Sequence, residues 1–250
     1  MLAGEELCVF TSWHKLKPIP VMPKLFGKKL LIFLLLIIFI IIGSVSTYFY
    51  LQKQAKEKEA EQTKALLVEV NEVINLMDVV KSEMPTELLE THEYLMSGAL
   101  GGKLYRTDPK LKDQIMYHGA KTQLVYINPA IKIKKELWIP IFYHEVAHNY
   151  WHSKNPIETF EEFEAQLFNS ENYAYTINAQ AWDLVMKHYP ITPEELKTEL
   201  EQRLFKSYSN ETEIYNEMIK GNLGAKELWV KIIEADLKEQ EKYQEALLEK

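Results

Sequence analysis

His144, Glu145 and His148 stand at a spacing that suits hydrolytic chemistry. On a helix, residues four apart share a face, so both imidazoles reach one ion while Glu145 turns toward its remaining coordination position. Zinc accepts imidazole nitrogen readily, and a catalytic zinc site takes three protein ligands and leaves its fourth position to water. The ion brings the pKa of that water toward neutrality, and an adjacent glutamate can take the proton and later hand it to a leaving amine. Trp138, Ile139, Ile141, Phe142, Val146 and Ala147 make the segment apolar, as a helix under a buried site should be. No proline falls between Pro140 and Pro156, which leaves room for about four helical turns. The plain alternative is a pair of histidines on an ordinary helix.

Two histidines leave a third ligand to be found. Beyond Pro156, the residues Phe160, Phe163, Leu167, Phe168, Ala174, Ala181 and Trp182 define an apolar stripe, and Glu164 and Glu171 both fall on it. A carboxylate in such a stripe needs a cation or strong donors, so both are candidates; Glu161 and Glu162 read as solvated. If a second helix starts at Pro156 in a tight hairpin, Glu164 lies about 12 Å from the turn, level with the imidazoles, and Glu171 about 22 Å. If residues 153–159 are irregular and the helix begins near Phe160, Glu171 comes in to about 17 Å, close to the level of His144. His152 shares the face of the two histidines but lies about 12 Å along the axis from His144, too far to join one ion. Tyr173, Tyr175, Asn178 and His188 are candidates for orienting ligands or steadying an oxyanion, or else ordinary core residues. His92 and His118 read as surface residues.

From His144 to about Trp182 the chain resembles the zincin metallopeptidases, of the gluzincin type, whose third ligand is a glutamate on a following helix. The metzincin pattern does not fit: Trp151 stands where that family has glycine, and Lys154 where it has a third histidine. The resemblance implies a Zn2+ ion on His144, His148 and one glutamate, with Glu145 as general base and a peptide or protein as substrate. It favours Glu171 over Glu164, because fifteen intervening residues are fewer than gluzincins show and twenty-two fall in their range. Glu171-Asn172-Tyr173-Ala174 also resembles their ligand glutamate followed one turn later by a small residue. In zincins an edge strand beside the metal helix pairs with extended substrate, a role this resemblance offers to residues 122–127.

The elements that must carry this site begin after an apolar segment. Residues 30–42 are thirteen consecutive apolar residues, and no charge appears until Lys53, a run long enough to span hydrocarbon. Tyr48 and Tyr50 sit where interfacial aromatics belong. Residues 1–29 carry five lysines against Glu5 and Glu6, a net +3, so with −7 overall and no charge in 30–50 the remainder carries −10. Basic residues before the run hold the N-terminus in the cytoplasm and put the larger domain outside, as a single-pass plasma-membrane protein. A cleaved signal peptide, with Ser44-Val45-Ser46 as the cleavage site, is the alternative, and Met22 offers a second start. Cys8 is the only cysteine and precedes the run, so the exported part has neither disulfide nor thiolate metal site. The acidic domain excludes nucleic acid as partner.

Residues 52–64 read as a charged helical tether. Leu66, Leu67, Val70, Val73, Ile74, Met77 and Val80 continue as an amphipathic helix that ends near Pro85; a stripe under three heptads favours packing on its own domain over the alternative, a dimeric coiled coil. A helix is expected over 87–96, broken by Gly98, Gly101 and Gly102, and Asp108-Pro109 reads as the cap of a short one. Strands are expected at 122–127 and near 104–106. Asn155-Pro156-Ile157-Glu158 and Thr192-Pro193-Glu194-Glu195 read as helix starts, and Gly221 and Gly224 precede a last helix through Trp229, Ile232, Ile233 and Leu237. The expected fold is mostly α (α+β): a zincin-like helical domain with a small sheet over 65–250, after a segment 1–29, a membrane anchor 30–51 and the tether 52–64. The functional expectation is a membrane-anchored zinc peptidase. A metal-binding protein that no longer catalyses, or a tethered adaptor, would share much of the sequence.

Overall fold

The computed structural model describes residues 24–97, 105–107, 114–119, 124–128, 130–156 and 158–248. Expectations placed on Cys8, Met22, the basic residues before Lys24, Gly98, Gly101, Gly102, Leu104, Asp108-Pro109, Thr122-Gln123 and Ile157 lie outside them. The chain divides into two units, Met1–Lys56 and Glu57–Lys250.

In the first unit the described residues belong to helix α1 (Lys24–Val79). Within its stretch Leu31–Lys58 an 18-residue window reaches a mean hydropathy of 2.7 with none of that window buried, so the helix is long and apolar enough to cross a membrane. The charged residues that follow remain helical, so the tether is not irregular chain.

The second unit is built of helices around one main core. In α1, Leu66, Val70, Val73, Ile74 and Met77 recur at three- and four-residue spacing and are buried, which draws this part of the helix onto its own domain. Val80 joins them, and a 3-10 turn, Lys81–Glu83, leads to α2 (Thr86–Met96), which contributes Leu88 and Leu95. Helices α3 (Lys135–Lys154) and α4 (Phe160–His188) form the central hairpin. Ala147 of α3 and Ala174 and Ala181 of α4 are fully buried in the core, where residues this small let neighbouring backbones approach closely. Helices α5 (Glu199–Ile219) and α6 (Leu223–Leu248) complete the unit, the turn between them passing through Gly221 at φ 90°, a conformation that favours glycine. The buried Glu201 carboxylate accepts from the main-chain N–H groups of Lys197 and Thr198, and also of Lys134 at the start of α3, so α5 holds the entry to the histidine helix.

The sheet has strands β1 (Tyr105–Thr107), β2 (Met116–Gly119) and β3 (Leu124–Ile127) in the order β1-β3-β2. β1 runs parallel to β3, with Tyr105 beside Val125, and β2 runs antiparallel to it, with His118 beside Val125. The edge-strand role offered to 122–127 is therefore corrected: β3 is the central strand, its Val125 and Ile127 buried, and the edge toward α3 is β2.

Three boundaries also move. α3 begins at Lys135, so Pro140 lies inside it, buried and without the N–H that an interior turn would use. Asn155 does not open the next helix; its side-chain amide closes the previous one by donating to the Trp151 carbonyl at 3.0 Å. α4 starts at Phe160, where Thr159 and Glu162 form a capping box. The box at Thr192 and Glu195 supports only the 3-10 turn Pro193–Glu195, because Leu196 is extended and turned into the core; α5 starts after a second box, Thr198 with Glu201.

Candidate metal centre

The irregular connection of five residues, 155–159, sets the register of the hairpin. It brings Glu171 on α4 level with both histidines on α3, while Glu164 is left exposed. His144 Nε2 and His148 Nε2 lie 3.3 Å apart, and Glu171 Oε2 lies 3.5 Å from each. Ligands at the 2.0–2.1 Å of zinc–nitrogen bonds in a tetrahedral arrangement are about 3.3–3.4 Å from one another. The triangle therefore already has the size that three of four tetrahedral ligands require, and these residues could hold a metal ion.

The chemistry around the triangle agrees with such an ion. Glu171 Oε2 is buried and meets the two Nε2 atoms only at 3.5 Å, with no well-formed hydrogen bond, an arrangement that a cation between the three atoms would satisfy. Its other oxygen accepts from Gln240 Nε2 of α6 at 3.0 Å. Burial pushes the Glu171 carboxyl up, but the imidazoles of His148 and His144 hold it well below the usual carboxylate range. His144 experiences the reverse balance: burial favours its neutral form, yet Glu171 and Glu145 raise it to about 9. His148 Nδ1 lies 2.8 Å from Ser170 Oγ; with Nε2 given to an ion, Nδ1 carries the proton and donates to that hydroxyl.

Glu145 is buried beside the ligands, and burial raises its carboxyl above the ordinary value. The main-chain N–H of His118 on β2 donates to it. His118, read from sequence as a surface residue, instead stacks its ring on both His148 and His152 of α3, at 5.6 and 5.5 Å between centroids. The sequence offered no pattern for this, since β2 is four residues of mixed character and only the sheet brings it to α3. His152 is buried and held to about 4 by desolvation, close to the site but outside the ligand group.

His92 is likewise not a surface residue. It is fully buried, with Nδ1 2.6 Å from the Tyr143 hydroxyl and Nε2 3.2 Å from Asp78, where it ties α2 to α3 and α1. Of the other polar candidates, Tyr175 packs its ring edge-on against His144 at 4.9 Å, and Asn178 donates to Glu211 at 3.0 Å. Tyr173 bonds Thr91 and the Glu87 carbonyl, and His188 bonds Glu83, both away from the three ligands. Glu162 is a capping residue, and Glu161 is solvated as its position suggested. Glu211, Asp236, Gln240 and Tyr208, from α5 and α6, had no motif to mark them. No family model matches the chain, and neither a curated protein nor a solved structure matches it.

Proposed function

We propose that residues 65–250 form a zinc-dependent hydrolase of the gluzincin kind, a peptidase, tethered by the apolar helix with the domain outside the cytoplasm. The observation that carries this reading is the triangle of His144 Nε2, His148 Nε2 and Glu171 Oε2 with a buried carboxylate, Glu145, beside it. When bound, zinc supplies a Lewis acid that polarises a carbonyl and acidifies water.

The chain's own groups account for the rest. Glu145 is kept from solvent and its affinity for a proton is raised, so its carboxylate can take a proton from an attacking water and release it to a leaving amine. The His118 N–H aims that carboxylate, and Ser170 fixes the ring of His148. A purely structural metal site has no use for a buried carboxylate at Glu145, which is why catalysis is favoured over metal storage.

Glu145→Gln tests the reading. The isosteric amide touches no ligand, so the variant should keep zinc while hydrolysis of a peptide mixture falls by several orders of magnitude. His144→Ala should lose both. An unaltered rate in the glutamine variant would take Glu145 out of the mechanism.

A further inference from the structure

The hydrolytic reading leaves two nearby carboxylates without a task. α5 brings Glu211 and α6 brings Asp236 close enough to His144 to act on its charge. With Glu145 and Glu171 there are four carboxylates whose charge bears on this imidazole, and Gln240 Nε2, donating at 3.0 Å to both Glu171 Oε1 and Asp236 Oδ2, holds those two side by side. Among the described residues, the only basic groups within ion-pair distance of these four are the imidazoles of His144 and His148 on Glu171. The two positive charges of a bound divalent ion match Glu145 and Glu171, which leaves Glu211 and Asp236 without a cation in contact, and burial accordingly raises both carboxyls above their ordinary values.

The groups packed with them point to a missing donor. Glu211 is held in place, accepting from Ser207 Oγ at 2.6 Å and from Asn178 Nδ2 at 3.0 Å. That bond places the Asn178 amide on the rim of the Glu211 carboxylate, and its Oδ1 is buried with no partner. Asn178 is 5% exposed, so its oxygen has no recourse to bulk water. The Tyr208 hydroxyl, within the field of Glu211 and Glu145, is also buried and unpartnered. Tyr175 has its ring against His144, and its phenol is kept neutral first by burial and then by the charges of Asp236 and Glu211. His144, Glu211 and Asp236 are each partly exposed, so the cluster can be reached from solvent.

An excess of acceptors beside an aromatic face suits a group that is cationic and only donates. An ammonium has three donors, no acceptor, and an affinity for the face of a tyrosine ring. We propose that a primary ammonium group of the substrate binds to Glu211, Asp236 and the Asn178 oxygen, against the ring of Tyr175 and beside the metal ligands. The word substrate rests on the hydrolase reading; the amine site itself does not. A free chain-terminal amine and a lysine side chain share this chemistry.

Calorimetric titration of the zinc-loaded full chain in detergent separates these cases. The probes are leucinamide against N-acetyl-leucinamide for the chain terminus, and n-butylamine against n-butanol for the lysine side chain. At least one amine should bind about tenfold more tightly than its neutral counterpart, the scale of a charge-assisted hydrogen bond. Which amine it is identifies the source. In Glu211→Gln and Asp236→Asn the preference should fall toward one at unchanged zinc content. Asp236→Asn, a partly exposed position outside the core, carries the test alone if Glu211→Gln does not fold. The proposal is overturned if neither amine is preferred by the parent protein, or if the preference survives both substitutions. Amine binding without cleavage of any peptide would remove the hydrolase reading and keep the amine site. Equal cleavage of free and N-acetylated, lysine-containing and lysine-free peptides would do the opposite.

Discussion

Ser170→Ala is the most informative single change, because it alters metal affinity without touching a ligand. Ser170 Oγ lies 2.8 Å from His148 Nδ1, and both residues are buried. In the metal-free chain His148 can keep its proton on Nε2, facing Glu171, and Nδ1 then needs no acceptor. With an ion on Nε2 the proton must sit on Nδ1, and in the alanine variant it has no partner. A buried donor left unpaired costs about 1–3 kcal/mol. That range agrees with the roughly 10–100-fold loss of metal affinity seen when such supporting bonds are removed, about 1.4–2.8 kcal/mol. Because the penalty falls on the loaded state, it should appear as weaker zinc binding in competition with a chromophoric chelator. In the metal-free chain Nδ1 accepts from the Ser170 hydroxyl, and loss of that bond, about 1 kcal/mol, is partly offset because alanine favours α4 by a few tenths, so the metal-free variant should unfold within about 1 kcal/mol of the parent. A zinc dissociation constant within about twofold of the parent's would refute the reasoning, since it would mean the hydroxyl does not support His148.

Other expectations follow from the same geometry. Glu171→Ala should abolish stoichiometric zinc while Glu164→Ala retains it; the reverse pattern in metal analysis would move the third ligand. The pH dependence of the zinc-free fold should show a maximum near 6.5. His144 is raised to about 9, so its contribution is full below 6.5 and is lost as pH climbs toward 9. Burial depresses His92, so its contribution is present above 6.5 and is lost as pH falls below it. Denaturant midpoints across this range check both limbs, and the alkaline limb should vanish in His144→Ala. Glu201→Ala removes an acceptor from three main-chain N–H groups and should cost about 2–3 kcal/mol by denaturant unfolding; a change under about 0.5 would mean those groups find water instead. Protease added to intact cells should digest the domain beyond Leu51, and protection until lysis would reverse the proposed topology.

Much of the helical architecture could be read from local signals. The 3–4 spacing of Leu66, Val70, Val73, Ile74 and Met77 marks a buried helix face without reference to anything else, and those residues are buried. The apolar run after Lys29 and the stripe through Ala174, Ala181 and Trp182 are equally self-contained. The pairing of His144 with His148 is also local, because four residues make about one turn. Helix starts proved harder, since Asn155-Pro156 and Thr192-Pro193 carry the right residue types but lose to a C-terminal amide bond at Trp151 and to the burial of Leu196. Such competition is settled by what the neighbouring element offers.

The composition of the site beyond those two histidines was a tertiary matter. Glu164 and Glu171 lie on the same stripe, and only the length of the irregular connection before Phe160 set which of them came level with the imidazoles. The residue family resemblance chose Glu171, whereas simple hairpin geometry did not. His118, Ser170, Glu211 and Asp236 sit on four different elements, with no shared spacing to announce them. His118 reaches α3 because β2 lies at the sheet edge, and Asp236 reaches His144 because α6 returns beside α4. A periodic pattern reports the face of one helix; which residues from other elements meet that face depends on how the elements pack, and no local pattern encodes it.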